Sequence, residues 1–308
     1  MTDLLQHVEM VKLAHDLGVE VAEVEFLSAL TDEDLARLRG AVNHALFAPH
    51  EARFARMAGL GRHVPSALAA RGAQHALGPL IAARVAAVTD PELAVRLVGH
   101  LSIGFLARMT PFINPARVAD IVARLPEDVV IATGQRLVAS KEYIPLGRFV
   151  AHVDLATSLK VVRAAPPRDL LQVAIFTDDR EALDRIIAEV EDEVLAAVLT
   201  EAAAAGDIDD ALTLLASLAV DSRLRVVRVA GALADDVRDA LVASVARNEV
   251  WDALQPVLDH LEDEEVLHLL DVPALSDPDA FAGLERSAAS SPGTDHLLEE
   301  LRCRRGLS

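Results

Sequence analysis

The most constraining feature of this 308-residue chain is a ladder of helix-start signals between Thr89 and Ala188. Asp90-Pro91, Asn114-Pro115 and Leu125-Pro126-Glu127 come first, then Asp154 and Pro166-Pro167. Proline in a first helical turn sacrifices no hydrogen bond, because its missing amide would have had no intrahelical acceptor. An Asp or Asn just before it caps the free amides. Asp90 and Asn114 stand 24 residues apart, as do Pro166 and Val190. Between the starts, apolar residues recur every three or four positions: Leu93, Leu97 and Leu101, then Val118, Ile121, Val122 and Leu125. That spacing gives one apolar stripe per helix. A helix of about ten residues is marginal alone and must bury its stripe on a neighbour. Short helices repeated at a fixed period therefore predict an all-α solenoid of stacked helical hairpins, with about 17–21 helices.

Composition agrees. Apolar residues make up 52% of the chain but aromatic ones only 3%, so Ala, Leu and Val must do the packing. Alternating β-branched runs bounded by hairpin turns are missing. Charge interrupts every long apolar run, so no membrane span is expected. The first ten residues lack a basic region followed by an apolar core, so no secretory leader is expected and the expected location is cytoplasmic. The single cysteine, Cys303, excludes a disulfide framework and a cysteine zinc site; it reads as an incidental exposed thiol.

The ladder divides the chain. Residues 1–88 read as an N-terminal helical region, 89–189 as the repeat core, 190–289 as further helical repeats, and 290–308 as a linker and C-terminal cap. Thr31 before Asp34 predicts a capped helix start, and a second helix is predicted over 21–30. The C-terminal repeats are predicted at 191–205, 208–219, 221–233, 234–248, 249–261 and 262–270. Leu214, Leu215, Leu218, Leu241, Val245 and Leu254 are expected to be buried there, with Trp251 in the core.

The stretches Asp90-Pro91-Glu92-Leu93-Ala94, Asn114-Pro115-Ala116-Arg117-Val118-Ala119-Asp120-Ile121-Val122 and Leu125-Pro126-Glu127 resemble the superhelical N-terminal domain of bacterial magnesium transporters of the MgtE type. They are also similar to the armadillo-like middle domains of the flagellar switch protein family. The resemblance covers about residues 77–190 and implies a right-handed, armadillo-like or MgtE-N-like solenoid. Neither magnesium transport nor a motor role carries over with it.

The formal net charge of −19 opposes nucleic acid and anionic membranes. Residues 43–84 reverse that sign, with five arginines against one glutamate. In this basic island Arg53 and Arg56 share a helix face, and Arg62-His63 follows a Gly59–Gly61 joint. With Arg84, and with Tyr143 and Arg148 from an irregular rung at 140–149, these residues form a candidate site for an anionic ligand. His44 and His50 are the candidate acid/base groups if the site performs chemistry. No nucleotide-binding, serine-hydrolase or zinc-protease motif is present. No catalytic set, metal site or cofactor is assigned. The acidic pairs Asp178-Asp179, Asp209-Asp210 and Asp235-Asp236 coincide with helix starts, where acids are favoured for capping and dipole reasons. Two functional readings result. The favoured one is a non-catalytic scaffold holding a protein partner, or a second copy, on a solenoid face. The other is a protein or enzyme that binds a small anion near residues 44–84.

Overall fold

The helix starts close as their sequences dictate. The computed structural model describes residues 2–288 and 295–305; the expected linker at Ser290–Gly293 lies outside them. Asp90 accepts a hydrogen bond from the Leu93 amide at 3.2 Å, Asn114 from Ala116 at 3.1 Å, and Asp154 from Thr157 at 2.9 Å. Thr31 caps Asp34 at 3.2 Å. Ser102 caps Phe105 at 3.3 Å, a start that carries no proline. The fold is all-α: 22 α-helical segments and no strand among the described residues.

The helices fall into two units. The first comprises Met1–Ala165 and Gln172–Asp179; the second comprises Pro166–Leu171 and Arg180–Ser308. In the first unit lie α1 (Thr2–Leu17), α2 (Val21–Val24), α3 (Asp32–Phe47), α4 (Glu51–Gly61), α5 (Ser66–Gly72) and α6 (Gly78–Ala86). They are followed by α7 (Pro91–Val98), α8 (Ile103–Met109), α9 (Pro115–Val122), α10 (Glu127–Ala139), α11 (Tyr143–Phe149) and α12 (Leu155–Ala164). Helix α13 (Pro167–Ile175) crosses the sequence boundary. The second unit continues with α14 (Arg180–Glu189), α15 (Asp192–Ala205), α16 (Ile208–Ala216), α17 (Val220–Gly231) and α18 (Asp235–Arg247). It ends with α19 (Trp251–Leu258), α20 (Asp263–Leu270), α21 (Pro278–Ala288) and α22 (Asp295–Arg305).

In both units a helix packs on the next but one. The pairs α4/α6, α5/α7, α6/α8, α7/α9, α8/α10 and α10/α12 do so in the first unit, and α15/α17, α16/α18, α17/α19 and α20/α22 in the second. This is the packing of helical repeats, in which each short helix buries its stripe on the neighbouring rung. The starts of α7 and α9 are 24 residues apart, and so are those of α8 and α10. The step from α10 to α12 widens to 28, because α10 runs for 13 residues. In the second unit arginines tie the rungs. Arg225 donates to the carbonyls of Ile187 and Val190, Arg223 to Ala253 at 2.7 Å, and Arg238 to His268.

Two expectations are corrected. Residues 21–30 do not form one helix: a single α turn leads into a tighter turn at Glu25–Leu27. Val21, Val24, Leu27 and Leu30 are spaced by three, which suits that tighter winding, and all pack with Met10, Ala14 and Leu35. The helix count is the other: the 22 α-helical segments among the described residues are one above the expected range. A wide turn at Ala73–Leu77 and Gly78, at φ 75°, separate α5 from α6. Of the six C-terminal apolar positions, five are buried and Leu254 is half-buried. Trp251 sits in a core with Val272, Leu275, Phe281, Leu297 and Leu301.

The irregular rung has a steric cause. Lys141 takes φ 60° after α10, and α11 then passes so close to residues 176–177 that only glycine fits at 147. A Cβ there would lie 2.6 Å from the Phe176 carbonyl carbon and 2.8 Å from the Thr177 amide nitrogen. Both are backbone atoms and cannot rotate away. Gly147→Ala is therefore expected to lower stability by about 1–3 kcal/mol. Gly59→Ala, in α4 with open space around it, is expected to raise stability by about 0.5–1 kcal/mol. Urea midpoints of the two variants check both signs.

Candidate functional site

The first unit holds a cleft of about 700 Å³, assembled by five pieces of chain. The end of α1 supplies His15, Asp16, Leu17 and Gly18; α3 supplies Asn43 and Phe47. On α6, Leu80 and Arg84 share a face, as do Pro79, Ala83 and Ala87, because residues four apart align. The left-handed Gly78 and Pro79 set the start of that helix. The last turn of α8 adds Arg108 and the α8–α9 connection Pro111, Phe112, Ile113 and Asn114, with Arg117 from the first turn of α9; Glu142 and Arg148 complete the lining.

Arginine dominates the site. The Arg117 guanidinium lies 3.9 Å from the centroid of the Phe47 ring, and that of Arg84 lies 5.9 Å from the same ring. Phe47 is itself buried against Phe54, with centroids 5.8 Å apart. An aromatic face attracts both cations through its quadrupole. Arg117 also meets Glu51, at 3.5 Å. Burial holds the Arg84 guanidinium below its ordinary pKa; Asp16 opposes that shift and the nearby Arg117 adds to it.

Beneath the cleft lies a buried ionic network. Arg148 donates to Asp16 at 2.8 Å, and Asn43 to the other oxygen of Asp16 at 2.6 Å. Lys12, only 2% exposed, donates to Glu9 at 2.8 Å and to Asp178 at 2.7 Å. Arg39 donates to Glu9 at 3.0 Å and to Asp178 at 2.9 Å. Arg148 Nε stands 3.9 Å from Asp178, which links the two halves. Three carboxylates thus face three cations. Burial works against the charge of Asp16, but His15 at 3.6 Å, Arg148 and Asn43 outweigh it and keep its pKa below the usual value. For Asp178, burial is likewise outweighed, by Lys12 and then Arg39, and its pKa is also lowered.

The residues anticipated from sequence divide sharply. Arg53 and Arg56 on α4, and Arg62 and His63 in the turn after it, are exposed and do not line the cleft. His44 is exposed, and His50 is exposed with its ring edge-on to Phe54 at 6.4 Å, so the acid/base pair lies outside the cleft. Tyr143 begins α11 and meets the Lys141 ammonium at 5.8 Å, away from the lining. Arg84 and Arg148 do reach the cleft, but Arg148 is committed to Asp16. Sequence reasoning missed Asp16, Asn43, Phe47, Arg108, Phe112 and Arg117. The available signal was charge inside an apolar pattern: Glu9 and Lys12 interrupt the apolar set of α1. Among the described residues, no three of His, Cys, Asp or Glu converge to hold a metal ion.

Removing one partner from a buried ionic group leaves another charge uncompensated. Lys12→Met is expected to cost about 3–5 kcal/mol in urea unfolding. The lowered pKa values of Asp16 and Asp178 fix the acid response. Their contribution is complete above the unfolded carboxylate pKa of about 4 and fades as pH falls through it toward the folded values. Stability should therefore decline from pH 5 to pH 3, and less steeply in Asp178→Asn.

Compared with known proteins, the chain matches no family model, no curated protein and no solved structure.

Proposed function

We propose that this chain is a non-catalytic, armadillo-like or MgtE-N-like helical-repeat module that docks an acidic protein partner in the cytoplasm. The supporting observation is where uncovered apolar surface concentrates. Of the ten large apolar side chains exposed among the described residues, six lie between 46 and 80: Leu46, Leu60, Val64, Leu68, Leu77 and Leu80. The same stretch exposes Arg53, Arg56, Arg62 and Arg71. Apolar side chains left in solvent mark interaction surfaces when they gather. Arginines among them select a partner of negative charge and steer its approach. The rest of the chain is strongly acidic, so this stretch is where an acidic partner meets least repulsion. Stacked helical repeats commonly use their exposed sides as a platform for partners.

The test is affinity purification at stoichiometry from the source cells, comparing wild type with Leu60→Glu/Leu68→Glu. Both positions are exposed, so helicity by circular dichroism should be unchanged. Recovery of an acidic partner at near-integral ratio by wild type, with tenfold or greater loss in the variant, is the expected outcome. A partner retained equally by both proteins, or none at any salt concentration, would overturn the proposal.

A further inference from the structure

We infer that the cleft between α1, α3, α6 and α9 is a binding site for a small organic anion, a carboxylate or phosphate head on an apolar body, gripped by Arg84 and Arg117. This goes beyond docking of a protein partner and stands without it.

Four arginines and two carboxylates line the cleft, so it is net positive in a chain of net charge −19. Arg148 and Asp16 neutralise each other below it. That leaves Arg84, Arg108 and Arg117 in the lining against Glu142, with Arg117 also paired to Glu51 at 3.5 Å.

Arg84 is the decisive residue. It is half-buried, yet among the described residues it makes no hydrogen bond and no close ion pair. Its neighbours on the Phe47 ring are an aromatic face and a second cation. Desolvating a guanidinium beside another guanidinium is unfavourable, and a bound anion relieves both penalties at once. The planar, five-donor guanidinium suits carboxylate and phosphate alike, because either head offers paired oxygens.

The walls specify the rest of the ligand. Leu17, Leu80 and Phe112 line the cleft and remain 41%, 45% and 42% exposed, with Pro79, Pro111 and Ile113 beside them. Inorganic phosphate alone would leave these side chains wet. A volume of about 700 Å³ is that of an ordinary small-molecule site, apolar in its walls with a few polar groups to orient the ligand.

Isothermal titration of the full chain tests this with four probes: phenyl phosphate, octanoate, inorganic phosphate and benzyl alcohol. The expected result is saturable 1:1 binding of phenyl phosphate or octanoate, whichever is tighter naming the head group. Inorganic phosphate and benzyl alcohol should bind at least tenfold more weakly. Arg84→Gln and Arg117→Gln should each weaken the anion tenfold or more, and Arg84→Lys less. Leu80→Glu tests the same site without touching an arginine; its side chain is exposed, and the added charge should also cut binding tenfold. Arg136→Gln, exposed on α10, should bind as wild type. The inference is overturned if neither organic anion saturates, if inorganic phosphate binds as tightly as phenyl phosphate, or if Arg84→Gln and Leu80→Glu both bind as wild type.

Discussion

The first unit depends on six charges that cancel, four of them, Glu9, Lys12, Arg39 and Arg148, buried. Glu9, Asp16 and Asp178 are matched by Lys12, Arg39 and Arg148, and each carboxylate accepts a hydrogen bond from at least one of those cations. Taking ions out of water costs several kcal/mol each, so a partly formed network is worse than none. The partners lie 132 to 166 residues apart for Arg148–Asp16 and Lys12–Asp178. The network therefore closes only when α1, α3, α11 and the stretch after α13 are all in place. Asp178 keeps 35% of its side chain in solvent, which eases the burden at one edge. The neighbouring Gly147 has the same logic in steric form: α11 approaches residues 176–177 closely enough to place Arg148 between Asp16 and Asp178.

Local rules make most of the helices legible in the sequence alone. Asp90, Asn114 and Asp154 cap because capping is decided within three residues, and proline punctuation fixes a start wherever it falls. Gly206 ends α15 in the left-handed conformation, which glycine adopts without steric cost. The failures are equally physical. The 21–30 segment carries an apolar spacing of three that a window tuned to 3.6 reads as a helix. The widening of the 24-residue step to 28 follows from one longer helix, and a period inferred from two starts cannot anticipate it.

The site was legible only in part, because local sign reversal and spatial convergence are different things. The five arginines of residues 43–84 do form a basic island, yet only Arg84 turns inward. Its companions Arg108 and Arg117 come from the later helices α8 and α9, the first brought alongside by packing of α6 on α8. Phe47 joins them, and nothing in the local sequence marks it as the surface two cations share. Arg148 shows the converse error. An arginine in an irregular rung looked available for a ligand, but burial gave it two carboxylates of its own.

Neutrality underneath and positive charge above belong to one electrostatic design. Had Asp16 lacked Arg148 and Asn43, its carboxylate would have been the natural partner for Arg84 and the cleft would have closed on itself. Committing Asp16 downward leaves Arg84 held against Phe47 with no carboxylate of its own, beside an Arg117 that meets Glu51. The exposed arginines of α4 are in a different regime. Water solvates them and salt screens them within about 8 Å at physiological ionic strength. Their charge acts as a diffuse, salt-sensitive attraction for a large acidic surface. Arg84, half removed from water, acts at short range and with defined geometry. One acidic chain therefore carries two positive features of different reach, a broad one suited to steering a macromolecule and a confined one suited to holding a small anion.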